Sequence, residues 1–477
     1  MPLEDRLHPF LKHYTAAPQS VKSLLGGVYA WMPASWRYGE RYAHFLREIE
    51  RSGDVAWTRE RALHKLHETL AWATESVPAY REFAHALRAD ASPLEALAGF
   101  PLLDKERIKA SPDDFLSSRM PPRTHLVTHT GGSTSVPMRL VLQKYVSRSK
   151  DYAYNGSFDR VAGVRPQDTI LALRGRTVPG AGEPGGPLWM FDPIKRYLHL
   201  SCDHLEPEHM PRYLEALRRF QPGIVHAFPS AIVPLARWLE AHPDAEVTGR
   251  VRAVQLFSEN VYEHQVELIE RVFGCAVLLD YGHSERAVKA ISVPGDRRYF
   301  FWPLYGHVEI VDFQGRPVTE PGILGEIVAT GFDNRVMPLL RYRTGDLAMW
   351  SAAPNTTRPG FAVVDRIEGR LQEFLVCRDH RLVSIATIGA AHFEELAHAE
   401  RMQFEQHEPG RAVLKVQSRT ELAERARLAL VAGIRAKTQG GLDVEIVRVD
   451  EIARTVSGKH RLLVQKLDLS GFLGASV

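Results

Sequence analysis

The chain predicts an α/β architecture, with a large amino-terminal domain over residues 1–370 and a small α+β domain over residues 371–477. Three observations carry this expectation. Beyond about residue 125, short apolar runs alternate with amphipathic stretches, the succession that gives parallel strands with crossover helices. The last hundred or so residues repeat strand and helix patterns with an apolar set of their own. The full length, 477 residues, exceeds what one small module needs.

The elements follow in order. Residues 1 to about 100 read as helical, because RERALHKLHETLAWATESVPAYREFAHAL places apolar residues at helical spacing with Pro78 as the one interruption. ASPLEALAGFPLLDKERI reads as a short helix and an extended connection. TILALRG, IVHAFPS, AVQLFSE, CAVLLDYG and HVEIVDF are strand-like, with MPRYLEALRRF and HQVELIERVF as helices between them. From about 300 to 370 the strands crowd together with Gly/Pro turns, which predicts antiparallel pairing. The tail reads as strand (EFLVC), helix (IGAAHFEEL), strands (RMQFEQ, AVLKVQ), helix (ELAERARLALVAGIRAK) and strand (DVEIVRV).

Composition narrows the function class. Hydrophobic residues at 44% and charged residues at 25% are ordinary globular values. Sixty Lys+Arg against 57 Asp+Glu leave a net charge of +3, so no nucleic-acid partner is expected. No apolar run approaches the roughly 20 residues that cross a bilayer, so no membrane span is expected. The start MPLEDRLHPF places charges where a signal peptide needs an apolar core, and the three scattered cysteines form no CxxC. Both point to a reducing, cytoplasmic setting, and the sequence leaves oligomeric state open.

Several local patterns carry little chemistry. Gly180-Ala181-Gly182-Glu183-Pro184-Gly185 fits GxGxxG after a strand, but Pro184 and Pro187 deny it the helix whose amides would face a pyrophosphate. His199, Cys202, His204 and His209 lack metal-site spacing and read as partly exposed histidines on a strand and helix. His283-Ser284-Glu285 has triad residue types, yet adjacent residues do not converge as a triad does.

Thr128-His129-Thr130-Gly131-Gly132-Ser133-Thr134-Ser135 is different, with two glycines and several hydroxyl side chains between apolar runs. Glycines let successive N–H groups point at one anion and hydroxyls add donors, which suits phosphates as well as a plain polar hairpin. It is not a GxxxxGK[ST] loop. Downstream come Tyr281-Gly282-His283-Ser284-Glu285, Tyr342-Arg343-Thr344-Gly345-Asp346, Asp365-Arg366-Ile367-Glu368-Gly369-Arg370 and Arg454-Thr455-Val456-Ser457-Gly458-Lys459. In this order the five strings resemble the adenylate-forming acyl/aryl-CoA ligase superfamily, most closely its phenylacetate–CoA ligase branch with the capsule-biosynthesis relatives. Phe257-Ser258-Glu259 and HAFPSAIVPLARWL resemble further segments of that branch, so the likeness covers nearly the whole chain.

The resemblance implies a mobile carboxy-terminal domain and a set of roles. Thr130, Gly131, Gly132, Ser133 and Thr134 would hold the departing pyrophosphate of ATP. Tyr281 would stack on adenine, with Gly282 and Glu259 beside the nucleotide. Glu285 would bind Mg²⁺, a hard cation that wants carboxylate oxygen next to phosphates. Asp346 would accept from the ribose hydroxyls, with Arg370 alongside. Lys459 would reach the α-phosphate, and Glu373 would mark the hinge. His226, Phe228 and Ser230 are candidates for the acid pocket, with Phe228 as apt for core packing. Departures from the family pattern are Ser135 where Gly is usual, Met138 after the proline, and Glu373 where Asp is usual. AVKAISVPGDRRYFFW lacks the clustered cysteines of some relatives, so no zinc is expected there.

The implied function is ATP-dependent activation of a small carboxylic acid as an acyl-adenylate, followed by transfer to a nucleophile. The acceptor is the thiol of CoA or, alternatively, an amine in polysaccharide or natural-product biosynthesis. A reading of another class is a non-catalytic nucleotide- or acyl-binding protein on the same scaffold, which intact Glu285, Asp346, Arg370 and Lys459 argue against.

Overall fold

The computed structural model describes residues 13–14, 19–129, 138–165, 168–175, 178–181, 183, 185–370, 373–385, 388, 401–418, 420–453, 461–467 and 469–472. Strands β1 (His125–His129) and β2 (Arg139–Gln143) form an antiparallel hairpin. The next twelve build one sheet: β3 (Ile170–Leu173), β4 (Trp189–Asp192), β5 (Tyr197–Leu200), β6 (Ile224–Ala227), β7 (Ala253–Phe257), β8 (Ala276–Gly282), β9 (Lys289–Val293), β10 (Asp296–Phe301), β11 (Gly306–Val311), β12 (Gly325–Gly331), β13 (Tyr342–Trp350) and β14 (Ala362–Arg370).

The sheet order is β11-β12-β13-β14-β10-β9-β8-β7-β6-β3-β5-β4. Neighbours among β5, β3, β6, β7 and β8 run parallel, and every other pairing in the sheet is antiparallel. The apolar runs of β3 and β6 are buried at every position, as strands covered on both faces must be. Helices Met210–Phe220, Pro229–Ala241 and Glu263–Phe273 cover one face, where Leu217, Leu235 and Ile269 join a cluster with Leu171, Val225 and Val254. Helix Ser147–Val161 covers the other, with Ala153, Tyr154 and Phe158 against Ile224, Leu278 and Ile291.

The amino-terminal helices follow the periodicity. Helix Val55–Ser76 starts at Asp54, whose carboxylate accepts from the Trp57 amide, and stops before Pro78, where a 3₁₀ stretch begins. Helix Pro93–Ala98 opens with a reciprocal Ser92/Glu95 capping box. These helices share a core with Tyr342, Leu340 and Met138 of the sheet region.

The tail forms the hairpin β15 (Phe374–Val376) and β16 (Leu382–Ser384). A four-stranded sheet follows in the order β19 (Asp443–Val449), β18 (Arg411–Gln417), β17 (Arg401–Glu408), β20 (Leu463–Gln465). Helix Glu424–Lys437 packs Leu430 and Ile434 onto it with Leu414 and Ile446. Phe374, Val376 and Leu382 pack instead with Leu324 and Leu347, so the first hairpin of the tail also shares a core with the large sheet. The predicted helix IGAAHFEEL lies almost wholly outside the described residues. His199, predicted as partly exposed, is buried in β5 because both faces of that strand are covered.

Candidate active site

The carboxyl ends of β6, β7 and β8 open into a cavity of about 1840 Å³ that extends to the carboxy-terminal four-stranded sheet. In open sheets with parallel strands this edge is where ligands bind. The antiparallel strands β13 and β14 bring a second set of side chains to the same cavity through Asp346, Gly369 and Arg370.

Asp346 stands opposite Arg370 in the β13–β14 ladder, and the Arg370 Nε donates to Asp346 Oδ1 at 3.2 Å. The Tyr281 hydroxyl donates to Asp346 Oδ2 at 2.8 Å. The Asp346 carboxylate raises the Arg370 pKa further, and burial raises that of the Tyr281 phenol. Two donors from two strands thus fix one carboxylate at the cavity wall. The Tyr281 ring is edge-on to Phe301, with centroids 6.0 Å apart.

Glu285 lies in the turn after β8. Its Oε1 accepts from the Tyr342 hydroxyl at 2.7 Å and faces the Lys105 ammonium at 3.7 Å. The His283 Nδ1 is 3.1 Å from Oε2 without the alignment of a hydrogen bond. Burial alone would push this carboxyl up, but His283, Tyr342 and Lys105 together hold it well below the usual carboxylate range. The turn is seated by close approach: a Cβ on Gly306 or Gly331 would run into Ala287. As a carboxylate oxygen at the cavity wall, Glu285 could serve as one ligand to a hard cation such as magnesium. Among the described residues no group of three or more His, Cys, Asp or Glu could hold a metal by itself.

Glu259 accepts from both the amide and the hydroxyl of Ser230, each at 2.9 Å, and so caps the start of helix Pro229–Ala241. Ser258 before it has φ 63°, a left-handed conformation that a non-glycine residue adopts at some cost. Ser230 lines the cavity. His226 and Phe228 do not: His226 packs edge-on to Phe158 and Tyr197, and Phe228 packs on Phe257. Alternation along β6 turns the His226 side chain into the sheet–helix layer.

Glu373 is not a solvated linker residue. Asn260 donates to its carboxylate, and Gly369 at φ 90° leaves room where a Cβ would overlap both. Burial and the nearby Asp346 push the Glu373 pKa up to about 7, against the opposing pull of Arg370 and Asn260.

Thr130, Gly131, Gly132, Ser133, Thr134 and Lys459 lie outside the described residues. Their flanks are informative, since Asp450, Glu451 and residues 461–467 border the cavity. Sequence reasoning missed Lys105. Its only signal is the Asp104 cap that starts its helix, and what brings it to the site is the pairing of Leu103 with β13. There Leu103 N donates to Arg341 O at 2.9 Å, and Leu103 O accepts from Arg343 N at 2.8 Å.

No protein-family model matches the chain. Protein CapK of Staphylococcus aureus is 24% identical over 293 residues, 61% of this chain and 62% of CapK. Phenylacetate-coenzyme A ligase of Pseudomonas putida is 26% identical over 330 residues, 67% of this chain and 72% of that one. The enzyme of the same name from Escherichia coli (strain K12) is 27% identical over 329 residues, with 66% and 71% covered. These relatives and the site geometry point the same way. The chain is similar in sequence to phenylacetate-coenzyme A ligases and to CapK.

Solved structures share the fold of this chain. A 2-hydroxyisobutyryl-CoA ligase, crystallised in a postadenylation state with an acyl-AMP, aligns with TM-score 0.62 at 19% identity over 86% of this chain and 90% of that one. An acyl acid amido synthetase aligns with TM-score 0.57 at 13% identity, covering 89% and 95%. No helix among the described residues is long and apolar enough to cross a membrane.

Proposed function

We propose that this protein uses ATP to convert a carboxylic acid into an acyl-adenylate and then transfers the acyl group to the thiol of CoA. One observation carries the reading: Asp346 and Glu285 line one cavity, each already facing a cation, Arg370 for the first and Lys105 for the second. A ribose needs an acceptor pair such as Asp346, and magnesium-bound phosphates need an anionic oxygen such as Glu285. The relatives named phenylacetate-coenzyme A ligase support the same chemistry and favour CoA over an amine.

In the first step a carboxylate oxygen of the acid attacks the α-phosphorus of ATP. The bond from the α-phosphorus to the oxygen bridging to the β-phosphate breaks, and pyrophosphate leaves; Glu285 would hold a magnesium ion that offsets phosphate charge. Thr130 to Thr134 would receive the leaving phosphates, while Lys459 would stabilise charge at the α-phosphate. In the second step the CoA sulfur attacks the acyl carbon, AMP departs, and the thiol proton passes to solvent. Rotation of the tail domain about Glu373 would exchange Lys459 for the thiol at the same carbon. The free thiols of Cys202, Cys275 and Cys377 suit a reducing cytoplasm.

The test is acid-dependent pyrophosphate release over a panel of acids, with and without CoA or amines. We expect release with at least one acid and a thioester only when CoA is present. Amide product in place of thioester would reassign the acceptor, and no release with any acid would overturn the reading.

A further inference from the structure

A second part of the cavity is lined by residues other than those assigned above to the nucleotide. It lies between helix Ser147–Val161 and the sheet face that carries β7, β8 and β9. In the β8–β9 register Asp280 is opposite Ile291 and Gly282 opposite Lys289, so the Asp280 and Lys289 side chains leave the same face two residues apart. The Lys289 Nζ is 2.8 Å from Asp280 Oδ1 and 3.1 Å from Oδ2, and Gln255 Nε2 donates to Oδ2 at 2.6 Å. The Lys289 and Asp280 side chains are 8% and 10% exposed. A buried ion pair is poor value for stability, since apolar residues of the same volume commonly do as well. Leu278 and Ile291 on the same face as this pair show that the fold itself wants apolar residues there.

The facing wall is polar too. Asp151 and Asn155 project from one side of the helix, one turn apart, and both line the cavity. Arg286, held at φ 55°, brings its Nη2 within 3.5 Å of Asp151 Oδ2. Its Nη1 is buried with no hydrogen-bond partner. The Asn155 side chain makes no hydrogen bond among the described residues. Lys289 has three N–H donors, and both of its contacts go to Asp280. The four charges cancel, and what remains facing the cavity is a set of donors in want of oxygen acceptors.

From this we infer that the acid activated here carries hydroxyl groups on its carbon chain, which Lys289, Arg286 and Asn155 receive. The inference rests on the reading that this cavity binds an acid for adenylation. An aryl or alkyl chain would leave the buried donors unsatisfied, and sites built to bond a substrate hydroxyl reject analogues that lack it by large factors. A second carboxylate finds no net positive charge, because Asp280 and Asp151 offset Lys289 and Arg286.

The experiment compares kcat/KM for acid-dependent pyrophosphate release with phenylacetate, hexanoate, succinate and a series of hydroxylated acids including lactate, glycerate and gluconate. We expect a hydroxylated acid to exceed phenylacetate and hexanoate by about 10²-fold or more. Asn155→Leu, which breaks no bond within the protein, should lower kcat/KM for that acid about tenfold and leave the KM for ATP unchanged. Preference for phenylacetate, hexanoate or succinate would overturn this inference and leave adenylation standing. An Asn155→Leu variant with unaltered selectivity overturns the donor assignment. Absence of release with every acid would sink the adenylation reading itself, and the inference with it.

Discussion

The Tyr342 hydroxyl donates to Glu285 Oε1 at 2.7 Å, tying the first residue of β13 to the turn after β8. Tyr342 is buried, and both burial and the Glu285 charge raise its pKa, so the phenol remains a donor across the physiological range. The pair fixes the direction in which an anionic oxygen is offered to the cavity. It also explains why two short strings far apart in sequence act at one place.

Glu285→Gln keeps the shape of that contact and removes the charge a hard cation requires. The Mg²⁺ concentration giving half-maximal pyrophosphate release should rise, and Tyr342→Phe, which removes only the partner of the ligand, should raise it about tenfold. Magnesium titrations of the three proteins check this. Superimposable curves would place the metal ligand elsewhere.

On the proposed reading, in which Lys459 stabilises charge at the α-phosphate, Lys459→Ala should lower acid-dependent pyrophosphate release by about 10²–10³-fold. Binding of an ATP analogue, followed by calorimetry, should be nearly unchanged. Wild-type rates in this variant would end the catalytic assignment.

Glu373 has a raised pKa of about 7, against an ordinary value of 4.5. The folded protein therefore holds this proton more tightly than the unfolded chain does. Its contribution to stability is full below about pH 4.5 and is lost as pH rises through about 7. Glu373→Gln should flatten the fall in melting temperature between pH 5 and pH 8. Parallel profiles for variant and wild type would show that another group titrates.

Glu373→Pro fixes φ near −65° at the proposed pivot. Acyl-adenylate formation should proceed at a near-normal rate while transfer to CoA is lost. Single-turnover assays of the two steps separate them. Equal loss in both would mean a folding defect, and full transfer would put the hinge elsewhere.

Asp333 joins Lys65 and Lys150, each with its Nζ 3.1 Å away, beneath the amino-terminal helices. Burial opposes its charge, but the two lysines hold its pKa down at about 2, so its stabilisation is present above about pH 3.8 and fades as pH falls through 2. Asp333→Asn leaves Lys150 buried without its counterion and should cost about 3 kcal/mol in urea unfolding at pH 7. A loss under 1 kcal/mol would show that the carbonyl oxygens of Tyr305 and Phe332, which Lys150 also meets, are sufficient.

Much of this was legible in one dimension. Apolar runs over Ile170–Leu173 and Ile224–Ala227 specify strands covered on both faces, because only such strands need no polar alternation. Pro78 ends the long helix because it cannot continue the hydrogen-bond ladder. The Tyr281, Glu285, Asp346 and Arg370 strings could be read because each packs several chemical groups into a few residues.

The sequence by itself determined many of the strands and helices and singled out Glu285 and Asp346, which the fold brings to one cavity, since periodicity and short motifs are local properties of the chain. Only the tertiary structure decided that Lys105 faces Glu285, that His226 turns away from the cavity, and that Asp280, Lys289, Asp151 and Arg286 cancel one another around free donors. These relations depend on strand register and on which face a helix covers. A one-residue shift in register would send every side chain to the opposite face, and no short window of sequence carries that information.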